Sequence, residues 1–324
     1  MTTGNTLLDV QDLHISFTTD QGTVPVVRGL SYQLPKGRIL AVVGESGSGK
    51  TVQALSLLRL LPPTAHLTQG HIFLNGKDLT TLSEKELRTV RGAKMAMIFQ
   101  DPSASLNPVL TIGEQLTETI LAHQKTSKSE ACQKVISLLK EVGIKDAEKR
   151  LNDYPFQFSG GMCQRVMIAM ALSLSPDVLI ADEPTTALDV TIQAQILKLI
   201  RTLQQERQMS ALFITHNLAV VAGIADDVLV LYGGLCMEQA PVEDLFNNPL
   251  HPYTKGLLGS LVSVDKKLNR LPAIEGQPPV PGQAGEGCPF APRCPNALGK
   301  CFKECPPLTE KANRKVRCFL WESK

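Results

Sequence analysis

Apolar and polar positions alternate in the first stretch of the chain. Leu7-Leu8-Asp9-Val10 and Leu13-His14-Ile15-Ser16-Phe17 follow the period of two expected of strands with one buried face. Thr18 to Gly22 makes a turn, and Val24 to Leu34 reads as further paired strand closed by Pro35-Lys36-Gly37. An antiparallel β layer is therefore predicted at the start. The pattern then changes to an unbroken apolar run, Ile39-Leu40-Ala41-Val42-Val43, followed after a glycine-rich turn by the helix-like Val52 to Leu58. His71 to Asn75 reads as a strand with a tight turn at Gly76, and Ser83-Glu84-Lys85-Glu86-Leu87 has the composition of a capped helix start. Met95 to Phe99 predicts a buried strand that ends at Gln100, and Asp101-Pro102 breaks it. From about Ile112 to Ala171 the periodicity is helical, clearest over Ala131 to Val142.

Two more apolar strands follow, Val178 to Ala181 and Ala211 to Thr215, separated by a helix running through Glu206. Val228 to Tyr232 and Leu235 to Glu238, around Gly233-Gly234, predict a hairpin. No internal repeat of fixed period is present. Strands alternating with helices, behind an antiparallel layer and around a helical insertion, predict an α/β architecture.

The turn after Val43 reads Gly44-Glu45-Ser46-Gly47-Ser48-Gly49-Lys50-Thr51, the spacing G-x-x-x-x-G-K-[ST] between a strand and a helix. Its glycines let backbone N–H groups turn inward around a phosphate, and the helix behind them presents its positive end to the same anion. Lys50 is of a length to reach the β- and γ-phosphates, and the Thr51 hydroxyl suits Mg²⁺. The residues predict nucleoside triphosphate binding. Phe17 fits a ring stacked on the base and a plain core aromatic equally well by spacing.

Three further features gain weight from that loop. Ser159-Gly160-Gly161 opens a helix, a second place where amides can meet an anion. Asp182 and Glu183 end an apolar strand, so Asp182 suits Mg²⁺ and Glu183 an attacking water. His216 follows another core strand, at the edge where ligands collect in open α/β sheets.

Composition adds limits. The 324 residues are 43% hydrophobic and 20% charged with a net charge of +2, an ordinary globular balance without the basic footprint of a nucleic-acid binder. Met1 to Leu8 carries no secretory pattern, and no apolar run approaches the roughly 18 residues of a membrane helix. The expectation is a cytosolic chain that meets a membrane through a partner. Of eight cysteines, Cys132, Cys163 and Cys236 read as small buried residues, whereas Cys288, Cys294, Cys301, Cys305 and Cys318 crowd the C-terminal part. They follow a Pro/Gly-rich connector over Leu271 to Gly287. Five soft donors there suggest a metal site or an iron–sulfur cluster, against the alternative of unpaired thiols.

Taken jointly and in this order, the phosphate loop, Gln100, Ser159-Gly160-Gly161-Met162-Cys163-Gln164, Asp182-Glu183, Ala187-Leu188-Asp189 and His216 resemble an ATP-binding cassette (ABC) ATPase over about residues 7 to 255. The resemblance implies a P-loop nucleotide-binding domain at 1–255 with a RecA-like mixed-sheet core, an antiparallel β layer and a helical subdomain at about 101–171. It implies that two such domains sandwich two ATPs head to tail, each between the phosphate loop of one and the signature Ser159-Gly160-Gly161 of the other. By the same resemblance Gln100 senses Mg²⁺ and couples to membrane subunits, Glu183 is the catalytic base, Asp189 belongs to the loop facing the partner, His216 is the switch histidine and Phe17 stacks on the base. Phe158 and Cys163 depart from the commoner residues without removing a phosphate donor.

Residues 256–324, introduced by His251-Pro252-Tyr253-Thr254, resemble the C-terminal extension of oligopeptide and dipeptide importer ATPases through Gly287-Cys288, Pro292-Arg293-Cys294-Pro295, Cys301 and Val316-Arg317-Cys318. That resemblance implies a [4Fe–4S] cluster on Cys288, Cys294, Cys301 and Cys318, with Zn²⁺ the rival occupant. It implies peptide uptake, with a paralogous ATPase subunit, two transmembrane permease subunits and an external or periplasmic peptide-binding protein as partners, at the cytoplasmic face of the membrane. Nickel or metal-chelate uptake is the alternative substrate, and an ABC ATPase acting on nucleic acid the alternative class.

Overall fold

In the computed structural model the described residues are 6–20, 22–186, 188–260, 274–282, 285–311 and 313–321. Ala187, the first residues Met1 to Asn5 and Leu271 to Ala273 of the expected connector lie outside them. Two compact units are built, one from Met1–Thr81 with Phe213–Lys324 and the other from Leu82–Leu212.

The N-terminal alternation is realised as β1 (Thr6–Thr19) and β2 (Gly22–Pro35), which pair antiparallel. Leu8, Val10, Leu13 and Ile15 are buried, so the apolar face read in the sequence is the core face. The register shifts between Val10 and Leu13, where Asp12 adopts φ 47° and the strand bulges. β3 (Ile39–Val43) is buried at every position and leads through the glycine loop into α1 (Lys50–Leu57). β4 (Ala65–Leu74) and β5 (Lys77–Asp78) complete a four-stranded antiparallel sheet in the order β2-β1-β4-β5.

The unit formed by Leu82–Leu212 starts with α2 (Glu84–Val90), whose Ser83 and Glu86 cap each other's backbone amides. After β6 (Met95–Ile98) come α3 (Pro102–Ser105), α4 (Ile112–His123), α5 (Lys128–Glu141) and α6 (Ala147–Arg150). Thr111 with Glu114 and Ser127 with Glu130 repeat the capping box at α4 and α5. The helical stretch is thus cut into short helices by its own caps and by Gly143 at φ 79°. α7 (Gly160–Leu172), β7 (Val178–Asp182) and α8 (Val190–Glu206) follow, and β7 pairs parallel with β6. β8 (Ser210–Ile214) starts where the Ser210 amide bonds the Asp177 carbonyl.

Back in the first unit, α9 (Leu218–Ile224), β9 (Asp227–Tyr232), β10 (Leu235–Pro241), α10 (Val242–Asn247) and α11 (Pro252–Gly259) follow in sequence. β3 runs parallel to β9, while β9 and β10 form the predicted hairpin around Gly233-Gly234. The sheet then continues into the C-terminal segment: β11 (Thr309–Lys311) and β12 (Arg314–Val316) give the order β11-β12-β10-β9-β3. Phe290 joins Val43, Val230, Tyr232, Met237 and Tyr253 in one core cluster. The first compact unit thus includes residues on both sides of the boundary expected at 255/256. The physical reason is that β12 bonds β10, and the fully buried Glu238 on β10 accepts from the Arg314 guanidinium at 3.0 Å. Among the described residues no helix is long and apolar enough to cross a membrane.

Candidate nucleotide site

The phosphate loop is shaped by close approach. A Cβ on Gly44 would stand 2.2 Å from the Leu231 carbonyl oxygen, so β9 leaves no room for any side chain there. Gly49 takes φ 99° as the N-cap of α1 and supplies no capping side chain. The first amides of that helix thus keep the orientation that suits a phosphate rather than an internal cap. Lys50 is buried, and its Nζ donates to the carbonyls of Gly44 at 2.8 Å and Glu45 at 2.9 Å. The ammonium is thereby held within the loop that its charge serves. Thr51 is exposed on the first turn of α1. The buried Ser48 hydroxyl has no hydrogen-bond partner among the described residues. These groups fit a triphosphate.

The same unit brings other residues to this end of its sheet. The Thr215 amide bonds the Val42 carbonyl, which puts His216 just past a strand end beside the strand that leads into the loop. The Gly234 amide bonds the Ser48 carbonyl, and the Arg28 amide bonds the Gly234 carbonyl, so the hairpin links β2 to the loop. Phe17 is partly exposed on β1 and sits opposite Val24 and Ala65.

In the Leu82–Leu212 unit, β7 ends at the buried Asp182. Glu183 adopts φ 46°, an unusual backbone conformation for a side-chain-bearing residue. Its Oε2 accepts from Gln100 Nε2 at 3.1 Å and from the Thr186 hydroxyl at 2.9 Å. Asp189 caps α8 by accepting from the Ile192 amide at 2.9 Å. Ser159 caps α7, accepting from Met162, and Ser159 and Gly160 are exposed at that helix start. A Cβ on Gly161 would lie 2.8 Å from Ile192 Cγ2, so this glycine also lets α7 and α8 touch. Cys163 is a core residue whose thiol is pushed up by burial.

Residues 27–186 match the family described as ABC transporter, and residues 237–301 match the family described as oligopeptide/dipeptide transporter, C-terminal region. The chain is 52% identical over 320 residues to the dipeptide transport ATP-binding protein DppD of Bacillus subtilis, covering 98% of this chain and 96% of that one. It is 49% identical to the oligopeptide transport ATP-binding protein AppD of the same organism, with 98% of each covered. The chain belongs to the ABC transporter ATP-binding proteins. A solved dimeric ATP-binding cassette in a post-hydrolysis state with ADP and Pi shares the fold at TM-score 0.65 and 24% identity, covering 73% of this chain and 99% of that one. The protein is thus an ABC ATPase, with the P-loop fold and mixed α/β sheets expected.

The C-terminal cysteines of this ABC ATPase lie close together. Cys288, Cys294, Cys301 and Cys318 line one small cavity together with Phe290 and Phe319. All eight cysteines are free, and among the described residues no group of three or more His, Cys, Asp or Glu could hold a metal. Cys288 is pushed up to about 11, first by burial and then by the neighbouring thiols of Cys305, Cys301 and Cys294. Burial also raises Cys294 and Cys318. Among the described residues the arrangement gives no support to the expected [4Fe–4S] cluster or Zn²⁺.

Sequence reading passed over two residues that touch the phosphate loop of the ABC ATPase. The Tyr253 hydroxyl accepts from the Glu45 amide at 2.9 Å, and Arg293 donates to Glu45 Oε2 at 2.7 Å and to the Tyr232 hydroxyl at 3.0 Å. Their signal was present, since Pro292-Arg293-Cys294-Pro295 and His251-Pro252-Tyr253 stand out as motifs. Only the contacts reveal what they hold.

Proposed function

We propose that this ABC ATPase drives uptake of dipeptides or oligopeptides through a membrane complex. The observation that carries the reading is the match of residues 237–301 to the oligopeptide/dipeptide transporter C-terminal region, beside relatives named for dipeptide and oligopeptide transport. Those relatives favour peptides over nickel chelates, and the transporter family favours transport over work on nucleic acid. A second, paralogous ATPase subunit, two permease subunits and an external peptide-binding protein complete the proposed assembly. The chain then works at the cytoplasmic face of the membrane through the permeases.

In this reading Lys50 and the loop from Gly44 to Thr51 bind the β- and γ-phosphates of ATP, and Phe17 meets the base. Thr51, Gln100 and Asp182 are the residues for Mg²⁺, which neutralises phosphate charge when bound. Glu183 orients and deprotonates the attacking water, a role supported by the bonds from Gln100 and Thr186 that fix its carboxylate. His216 acts at the γ-phosphate. Ser159, Gly160 and Gly161 serve the ATP held by the partner subunit, and Asp189 belongs to the same dimer face. A cysteine-bound cluster has no part in these steps.

Uptake of labelled di- to hexapeptides and of nickel, in cells with and without the protein, tests the proposal. Loss of peptide uptake alone, restored by the wild-type chain and not by Lys50→Ala, is the expected result. Loss of nickel uptake alone overturns the substrate assignment and leaves the ATPase chemistry standing.

A further inference from the structure

Glu45 places a carboxylate inside a loop built to bind a triphosphate. A carboxylate there opposes the anion the loop must receive, unless another charge cancels it. Arg293 supplies that charge from the C-terminal segment. It donates to Glu45 Oε2 at 2.7 Å, and the two side chains are 7% and 23% exposed, so water screens the pair weakly. The guanidinium is fixed from its other sides by the carbonyls of Glu275 at 2.9 Å and Ile274 at 3.1 Å and by the Tyr232 hydroxyl. Its backbone is set in a single 3-10 turn at Ala291–Arg293, closed by bonds from Ala291 to Cys288 and from Arg293 to Phe290. The Glu45 amide donates to Tyr253, and the Glu45 carbonyl accepts from Lys50. One residue of the phosphate loop is therefore held by its amide, its carbonyl and its carboxylate. Two of those three anchors come from beyond residue 250.

We infer that Arg293 is a positioning residue for ATP binding, which cancels the Glu45 carboxylate and keeps it turned toward the C-terminal segment so that the phosphate loop can accept a triphosphate. The C-terminal segment is then part of the ATP-binding machinery of this chain.

Arg293 also ties its own segment together through Ile274, Glu275 and Tyr232, so loss of affinity in one variant would not separate the two roles. Rescue separates them. The purified full chain is titrated with MgATP by calorimetry, and KM and kcat are measured for phosphate release. Arg293→Met is expected to raise Kd and KM about tenfold or more while kcat changes less than about threefold, because an uncancelled charge weakens binding more than chemistry. Adding Glu45→Gln to Arg293→Met removes the stranded charge and is expected to recover most of that loss. A double variant as weak as Arg293→Met assigns the effect to the segment's structure and overturns the inference, as does unchanged affinity in a folded Arg293→Met. Should Arg293→Met fail to fold, Arg293→Lys decides. It keeps the charge without the planar fork, so a KM rise under about threefold supports the inference and a tenfold rise overturns it.

Discussion

Gln100 Nε2 donates to Glu183 Oε2 at 3.1 Å, and the Thr186 hydroxyl donates to the same oxygen at 2.9 Å. Two donors on one oxygen fix the carboxylate plane, and φ 46° at Glu183 gives the side chain a direction that ordinary strand geometry would not. A carboxylate held this way is suited to the proposed role of orienting water without first reorganising. Glu183→Gln keeps the size and loses the basicity. It should retain ATP binding and lower phosphate release about 100-fold or more. Nucleotide titration together with a phosphate assay checks it, and substantial remaining turnover would show that another group is the base.

Gly161, proposed to serve the partner's ATP, is also a packing position. A Cβ would meet Ile192 Cγ2 at 2.8 Å. Because Asp189 caps the Ile192 amide, the end of α8 has little freedom to retreat. Gly161→Val should therefore destabilise the chain by about 1–3 kcal/mol through overpacking, and Ile192→Ala in the same chain should recover part of it. Urea unfolding of the single and double variants reads the effect. Strict additivity of the two would mean that the side chains do not meet.

These residues show where sequence is legible and where it is not. The loop from Gly44 to Thr51, the strand ends at Asp182 and His216 and the cap at Ser159 are local, so a few neighbouring residues carry their meaning. Arg293 and Glu45 lie 248 positions apart, each in a recognisable motif of its own, and nothing local says that the two meet. The same holds for Glu238 and Arg314, and for β12, three residues long, which sequence reading left inside a separate extension. Short strands added to a sheet edge carry almost no periodic signal. The cysteines are the opposite case. Their crowding in sequence suggests a metal, whereas among the described residues no group of three or more such side chains is placed to hold one.

Glu238 is a fully buried charge in the first unit. Its Oε1 accepts from the Leu250 amide at 2.9 Å and from Arg314 at 3.0 Å, and its Oε2 accepts from the His251 amide at 2.9 Å. Glu238→Ala strands three donors, one of them charged, in a buried place. The expected cost is about 3–5 kcal/mol, and Arg314→Met should cost a similar amount by leaving the carboxylate without its cation. Combining the two should cost less than their sum, because the second change removes the group that the first one stranded. Chemical denaturation of all three variants tests this, and a simple sum would show that the pair does not act as a unit.

His251 links this region to acid. It is buried, and its Nδ1 accepts from the Tyr253 amide at 3.0 Å, which requires the neutral ring. Burial lowers its pKa from 6.5 to about 3, with a backbone hydrogen bond at Arg317 acting the other way. The unfolded chain therefore binds a proton near pH 6.5 that the folded chain refuses until about pH 3. The stability His251 contributes is full above pH 6.5 and falls as the pH drops toward 3, by up to about 1.4 kcal/mol per pH unit in that window. His251→Asn keeps an acceptor for the Tyr253 amide and removes the titration. Urea unfolding at pH 7 and at pH 5 should show a smaller loss for the variant than for the wild-type chain. An equal loss in both would place the acid sensitivity on other groups and would mean that His251 is protonated without penalty in the folded protein.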